Sequence, residues 1–452
     1  MFSQSQIFRC LANPIFARLY SAQTINLIGD ALTWLGLALL AFEIAGENAG
    51  VILSGALTLR VVAYVVLSPV AGAIADRVDR KLLMVLTHLM RMGLICLFPF
   101  INQPWQVYAT VLALNVFSAF FMPTYKATIP LVVDSSEYPQ AIALSSATYQ
   151  ILGVLGPGIA GSVAALVGTR QIFFLDALTF LIAALLILSL PGKLRVPQVE
   201  KKTENHRTWQ DLQAGTICLF RDPLIRYALV MQLVAAIIGA TILINTVGYV
   251  QGTLQLDKLE YGWTMAAFGL GASLAAVGLS VVKQTRSKLT LTTFGAVLIS
   301  LAIFPANWVG LNSLLILWLL AGVGQTLINV PTQVLIADRV DVNIQGRVYG
   351  AHFAWSHFWW AIAYPLTGWM GSNFPLAIFF NSSLIGLAVL GGAYVVLRPS
   401  RQQRAIQGKW HEHEHNHDQH HQHQYYAHSY ENVKSAAGAI AEPHRHLHFH
   451  DA

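Results

Sequence analysis

Hydrophobic and polar positions along this chain come in blocks. Runs of about 20 mostly apolar residues, the length a helix needs to cross a bilayer, recur from end to end and are divided by polar breaks. By that measure the sequence predicts about twelve spans. They lie near residues 17–43, 50–71, 82–101, 105–125, 141–166, 171–190, 224–250, 259–282, 288–306, 311–333, 346–371 and 375–397. The expected fold class is an all-α membrane protein with the lipid bilayer as its solvent.

The breaks alternate in charge. One set holds Arg77, Arg80, Lys81, Lys193, Arg195, Lys201, Lys202, Arg207, Arg221, Lys283, Arg286, Lys288, Arg339 and Arg347. The other holds little more than Arg170 and Lys258. Positive charge marks the cytoplasmic side, so both termini are expected in the cytoplasm, across a bacterial inner membrane. The N-terminus, with Arg9 and Arg18, lacks a cleavage-type signal, and the first span is expected to direct insertion. The polar stretch 192–222 then reads as a cytoplasmic linker between two six-helix halves, 1–191 and 223–398. Repetition supports two halves: Pro123-Thr124 recurs as Pro331-Thr332, and Pro157 recurs at the same offset as Pro365.

Composition sharpens this picture. The chain has 452 residues, 55% hydrophobic and 11% charged, against about 25% charged in a soluble domain. The net charge of +6 sits in the breaks and at span ends, so it reads as topology and not as a nucleic-acid surface. Cys10, Cys96 and Cys218 are far apart and imply neither a disulfide framework nor a cysteine metal site. No phosphate-cradling G-x-x-x-x-G-K-[ST] loop is present, since Gly408-Lys409 is followed by Trp410. Neither an enzyme nor an ATP-driven pump is expected, and no cofactor.

Four stretches carry a resemblance. The break Gly72-Ala73-Ile74-Ala75-Asp76-Arg77-Val78-Asp79-Arg80-Lys81, between two apolar runs, resembles the signature loop of the major facilitator superfamily. Asp79 stands where that family usually has glycine. Physically, Gly72 lets two helices approach, Asp76 can pair with a base at a helix end, and Arg77, Arg80 and Lys81 hold the loop in the cytoplasm. The fifth span, through Gly153, Gly156, Pro157 and Gly161, resembles the G-x-x-x-G-P-x-x-G motif of facilitator antiporters, where small residues pack and proline kinks the helix. Phe174-Leu175-Asp176-Ala177-Leu178-Thr179-Phe180 and Gly29-Asp30 are similar to the enterobactin- and macrolide-exporter branch. The resemblance spans about residues 10 to 398 and implies a major facilitator fold and export by proton antiport.

Polar groups inside the spans are the candidate transport residues, because an ionised group at mid-span costs about 2.5–3.5 kcal/mol on insertion. Gln23, Asn26, Asp30 and Thr33 share one stripe of the first span. Asp30 is suited either to bind a cation or proton in turn, or to pair structurally with Arg91 or Arg60. Gln325, Asn329 and Gln333 make a second stripe in the tenth span. His352 and His357 lie in the eleventh, about 140° apart around the helix, and so on different faces. Among aromatics either is also a packed core histidine. His88, near the start of the third span, is a weaker candidate.

After Arg398 the chain changes character, and 399–452 is expected to be a disordered cytoplasmic tail. Twelve of the sixteen histidines lie there: His411, His413, His415, His417, His420, His421, His423 and His428, then His444, His446, His448 and His450. Neutral imidazole ligates Zn²⁺, Ni²⁺, Cu²⁺ and Co²⁺, and an H-x-H-x-H register in extended chain presents several imidazoles together. Ligand chemistry does not choose among these ions. A facilitator exporter ending in such a tail resembles the nickel-resistance permeases of bacteria, which implies nickel, and next cobalt, as substrate. An exporter of drugs or siderophore-like molecules with an incidental tail, or a membrane-held metal buffer, are the competing readings.

Overall fold

Both halves of the chain start from the same local device, a polar cap followed by proline. The computed structural model describes residues 9–75, 78–134, 137–192, 194, 208–281, 287–400, 403, 408–415 and 444–451. The Asn13 side chain accepts from the Ile15 and Phe16 amides at 2.9 and 3.2 Å. The Asp222 side chain accepts from Leu224 and Ile225 at 2.9 and 3.1 Å. Each satisfies amides that a first helical turn leaves bare. Pro14 and Pro223 follow where a missing N–H costs nothing.

From these starts run twelve long helices among the described residues, six on each side of a shorter one. The first six are α1 (Pro14–Ala45), α2 (Ala49–Ala75), α3 (Arg80–Ile95), α4 (Pro104–Val132), α5 (Tyr138–Val167) and α6 (Ile172–Leu188). The linker holds α7 (Thr208–Arg221). The second six are α8 (Pro223–Val247), α9 (Lys258–Val281), α10 (Lys288–Ile303), α11 (Leu311–Arg339), α12 (Val342–Asn373) and α13 (Ile378–Val396). Helices α4 and α11 run on beyond their apolar windows to Val132 and Arg339. Backbone hydrogen bonding does not stop where hydrocarbon stops.

By length and hydropathy alone, eight segments among the described residues qualify as spans, and one of them, Pro14–Leu67, holds both α1 and most of α2. Helix α5 qualifies when its two parts are taken together, bent by 47° between Gly153 and Leu155. Pro157 explains the bend, since its ring presses on the carbonyl four residues back, at Gly153. Helix α6 is apolar but only 17 residues long, and α12 carries Arg347, His352 and His357 within its length.

The halves meet along two seams, α5 against α9 and α2 against α12. At the first, a Cβ on Gly161 would lie 2.6 Å from the Gly262 Cα, so neither position tolerates a side chain as packed. A Cβ on Gly156 would lie 2.7 Å from the Ala31 Cβ of α1. Gly153 has open space instead and faces a cavity. At the second seam Gly368 fits against Ser54. Close approach of small residues is how apolar helices gain packing energy in lipid, where burial from water is not available.

Three features differ from the sequence expectation or add to it. Asp79, the residue that departs from the family pattern, caps α3: its side chain accepts from the Lys81 amide at 3.0 Å and the Leu194 amide at 3.2 Å. The linker, expected only as a polar segment, holds helix α7. It lies against α12, where a Cβ on Gly215 would come 2.5 Å from the Arg347 carbonyl and Trp355 donates to Thr216 at 3.3 Å. The tail, expected to be disordered without ligand over 399–452, adds two described segments, β1 (Gly408–His415) and β2 (His444–Asp451), paired antiparallel. Alternating polar and aromatic residues satisfy a two-stranded ribbon as readily as they satisfy solvent.

Candidate functional site

A cavity of about 350 Å³ lies between the halves. The N-terminal half contributes Asp30 and Trp34 from α1, Arg60 and Tyr64 from α2, and Tyr149, Gly153 and Pro157 from α5. The C-terminal half contributes Leu243, Tyr261, Met265 and Tyr364. The lining is largely aliphatic, with one tryptophan, four tyrosines and two charged groups, Asp30 and Arg60.

Those two groups are held differently. Asp30 Oδ1 meets Arg91 Nη2 at 2.5 Å, and its other oxygen accepts from Asn26 at 3.1 Å. Arg91 also donates to the Asn26 side chain at 2.9 Å, and its guanidinium lies 4.2 Å above the Phe180 ring. Arg91 is buried and Asp30 is 31% exposed, so the pair is sealed from one side and reachable from the cavity. Arg60 does not pair with Asp30. It stacks 4.2 Å over Trp34.

A second carboxylate stands behind the pair. Asp176 of α6 is fully buried, accepts from Thr33 of the α1 stripe, and accepts from Thr179 at 2.9 Å. Gln23, the first member of that stripe, is buried with its Oε1 unpartnered. Asp176 was quoted in the sequence only as part of a resemblance. The rule that singled out Asp30, an ionisable residue inside an apolar run, singles out Asp176 as well.

In the C-terminal half the expected residues are joined by one that was not expected. Gln232 of α8 donates to Asn329 of α11 at 3.2 Å, and its Oε1 lies 2.9 Å from His352 Nε2 of α12. Three helices are thereby tied through one amide. Gln232 is a lone polar residue in a strongly apolar stretch, which is the signal that marks it. Gln325 is near but separate, with its Oε1 buried and unpartnered. His357 stays apart from this group. Its ring lies 3.9 Å from that of Phe353 and its Nδ1 is 2.8 Å from the Phe353 carbonyl. His88 is buried between Phe121 and Phe180, with neither ring nitrogen hydrogen-bonded.

The signature loop is described in part. Gly72 falls within α2, and Asp76 and Arg77 lie outside the described residues. Arg80 donates to the Ala127 carbonyl at 2.6 Å and Lys81 to the Leu190 carbonyl at 2.5 Å, tying the start of α3 to α4 and to the end of α6. In the tail, His411, His413 and His415 lie in β1, and His444, His446, His448 and His450 in β2. His417, His420, His421, His423 and His428 lie outside the described residues. Among the side chains that are described, no group of three or more His, Cys, Asp or Glu is arranged to hold a metal ion.

Two six-helix halves, a kinked glycine-rich α5 at the seam and a cavity between them are what an alternating-access carrier requires. The sequence matches the Major Facilitator Superfamily over residues 19–364 and again over 231–415. The chain belongs to that superfamily. It is therefore a multi-pass membrane transporter, and its relatives are transporters too. It is 26% identical over 349 residues to the uncharacterized MFS-type transporter YfiS of Bacillus subtilis, covering 74% of this chain and 81% of that one. It is 31% identical over 148 residues to a staphyloferrin A transporter of Staphylococcus aureus, covering 31% and 37% of the two chains. It is 23% identical over 195 residues to macrolide efflux protein A of Streptococcus pyogenes, covering 42% and 47%. In structure it is similar to the nucleoside transporter NupG, with a TM-score of 0.69, 13% identity and coverage of 85% of this chain and all of the other. That likeness speaks for the facilitator fold alone.

Proposed function

We propose that this facilitator exports divalent metal ions, nickel first and cobalt next, from the bacterial cytoplasm across the inner membrane in exchange for protons. The observation that carries the reading is the pairing of two histidine clusters in the tail, next to the end of the bundle that bears the linker. An exporter takes its cargo from the cytoplasm, and a tethered imidazole array raises the local concentration of a borderline divalent ion there. The basic residues Arg80, Lys81, Arg221, Lys288, Arg339 and Arg347 sit at that same end, which supports a cytoplasmic orientation for it and for both termini. Nickel over zinc or copper rests on the resemblance to nickel-resistance permeases.

Asp30 is the residue for coupling in this reading. It is reachable from the cavity, and proton uptake would release it from Arg91. His352, Asn329 and Gln325 offer neutral donors on the other half. Transient contacts suit a cargo that must leave as readily as it enters. A second reading has its own observation. The cavity is lined by Trp34, Tyr64, Tyr149, Tyr261 and Tyr364 around Arg60, a surface fit for a flat or anionic organic molecule. The staphyloferrin A and macrolide relatives lie in that direction.

Growth of a metal-sensitive bacterial host carrying this gene separates the two. Nickel, cobalt, zinc, copper and one macrolide are tested in parallel. Resistance to nickel or cobalt with no change toward the macrolide is expected, and the reverse pattern replaces the metal reading by the organic one. A reporter fused after Arg398 is expected to be active as a cytoplasmic fusion, and an exported fusion would overturn the orientation.

A further inference from the structure

The tail does more than carry histidines, because its strands are in a particular register and one residue is anchored. In the ribbon His411 faces His448, His413 faces His446, His415 faces His444, and Lys409 faces His450. Successive residues of a strand alternate between faces. All seven histidines of the two strands therefore fall on one face of the ribbon. Gly408, Trp410, Glu412 and Glu414 fall on the other, opposite Asp451, Phe449, Leu447 and Arg445. Directly opposed positions of an antiparallel pair are about 4.5–5.5 Å apart at Cβ, a spacing at which two imidazoles can share one ion.

The non-histidine face is fastened to the membrane domain. Trp410 is buried, and its indole N–H donates to Asp222 Oδ2 at 3.1 Å. Its carbonyl accepts from the Asp341 amide at 2.8 Å, and its backbone bridges to Val340. Asp222 is the cap of α8 and, through the same Oδ2, the partner of Arg339 Nε at 2.5 Å. Trp410 thus sits where the linker, the start of α8 and the α11–α12 connection converge.

We propose that divalent metal closes this ribbon by bridging its two histidine strands, and that closure seats Trp410 on the Asp222–Arg339 pair, so that the tail is a metal-set latch on the linker-side end of the C-terminal half. It rests on the reading that the tail takes up divalent metal, and it adds how occupancy reaches the membrane domain. The physical need for metal is plain. An isolated two-stranded ribbon is marginal in water, and these two strands are far apart in sequence, so pairing them costs closure entropy. Cross-strand ligation supplies the missing stabilisation, and protonation of the imidazoles opposes it.

Hydrogen exchange on the full-length protein in detergent, with and without Ni²⁺ at pH 7.5, tests the latch. Metal is expected to protect the amides of 408–415, of 444–451 and of Asp341 together. Trp410→Ala should keep the bound-metal stoichiometry and lose the protection at Asp341. Replacing His411, His413 and His415 by Ala should weaken Ni²⁺ binding about a hundredfold, the scale on which a linked second set of ligands acts. Equal protection with and without metal would show a ribbon that needs no ion and overturn the proposal. So would protected strands with an unprotected Asp341, or metal bound equally well by one strand alone. The export reading is judged by the growth assay, so an organic-molecule exporter whose tail latches on metal would pass here and fail there.

Discussion

In the N-terminal half the polar groups between helices carry charge: Asp30 and Asp176 stand near one guanidinium, Arg91. In the C-terminal half the mid-helix cluster of Gln232, Asn329 and His352 has two amides and one imidazole, while the carboxylates Asp222 and Asp338 pair with Arg339 and Lys288 at the helix ends. The backbone frames are alike, with cap and proline at Asn13-Pro14 and Asp222-Pro223 and a Pro-Thr step at 123 and 331. The chemistry hung on them is not. Two carboxylates beside one guanidinium can change net charge by taking up a proton, whereas in the second cluster the two amides cannot and only the His352 imidazole is of a titratable kind. In the proposed exchange, Asp30 of the first half is the coupling group and the cluster of the second half meets the cargo.

The largest effect expected from breaking this contrast is at Asp30. Asp30→Asn should abolish proton-driven metal uptake into inverted vesicles, the counterpart of export from the cell, while the protein still inserts. Breaking a fully buried ion pair costs about 3–5 kcal/mol, and the cost here is smaller because Asp30 keeps 31% of its side-chain surface exposed. The double variant Asp30→Asn with Arg91→Gln removes the stranded charge. It should regain thermal stability without regaining transport. Full efflux by Asp30→Asn would assign the pair a structural role only.

A smaller effect is expected in the other half. His352→Ala should slow initial efflux about tenfold, equivalent to about 1.4 kcal/mol at the rate-limiting step, because it frees Gln232 and through it Asn329. His357→Ala should change the rate by less than about twofold, since the hydrogen bonds of its ring go to Phe353 and Ser356 of its own helix and not to the Gln232 cluster. Equal losses at both positions would dissolve the cluster as a functional unit.

How much of this was legible beforehand follows the range of the interactions. Span positions were legible because twenty apolar residues answer to lipid one span at a time. The candidates on each stripe were legible for the same reason, since one helix fixes who shares a face. The partners were not. Thr33 shares the stripe of Asp30 yet bonds Asp176, and Arg91 rather than Arg60 closes the pair, because helix packing sets those distances. The tail was legible in composition alone. That composition excludes a packed core, but it says nothing of the strand register that matches His411 with His448.

Removing the tail should matter less than either half. Truncation after Gln407 is expected to lower resistance several-fold at low metal, with vesicle transport at saturating metal retained, because both halves are complete by Arg398. The difference between full-length and truncated protein should vanish as cytoplasmic pH falls below about 6.5, where free imidazole protonates. Protonated imidazole binds no metal, so acid removes the tail's contribution and neutral pH restores it. A truncation that kills transport at saturating metal would place the essential site in the tail and not between the halves.

The smallest effect expected on transport makes the two halves more alike. Asn13 opens α1 as a neutral cap and donates to the Val132 carbonyl at the end of α4 at 2.7 Å. Asp222 opens α8 as a charged cap and meets Arg339 at the end of α11. Asp222→Asn copies the first arrangement into the second. Asparagine caps about as well as aspartate, whereas losing a cap altogether costs about 1 kcal/mol. What the variant forfeits is the charge opposite Arg339, buried on both sides. Asp222→Ala forfeits cap and charge together. Thermal stability in detergent should therefore fall clearly for Asp222→Asn, because Arg339 and Asp222 are only 10% and 1% exposed and a broken buried pair costs about 3–5 kcal/mol, and further for Asp222→Ala. Cys218, fully buried in α7 with its thiol pushed up to about 12 by that burial first and by Asp222 next, is an internal reporter. It should resist maleimide in both the parent and Asp222→Asn, since burial persists. Should Asp222→Asn and Asp222→Ala melt together, the cap contributes nothing there, and the ion pair alone distinguishes the C-terminal start from the N-terminal one.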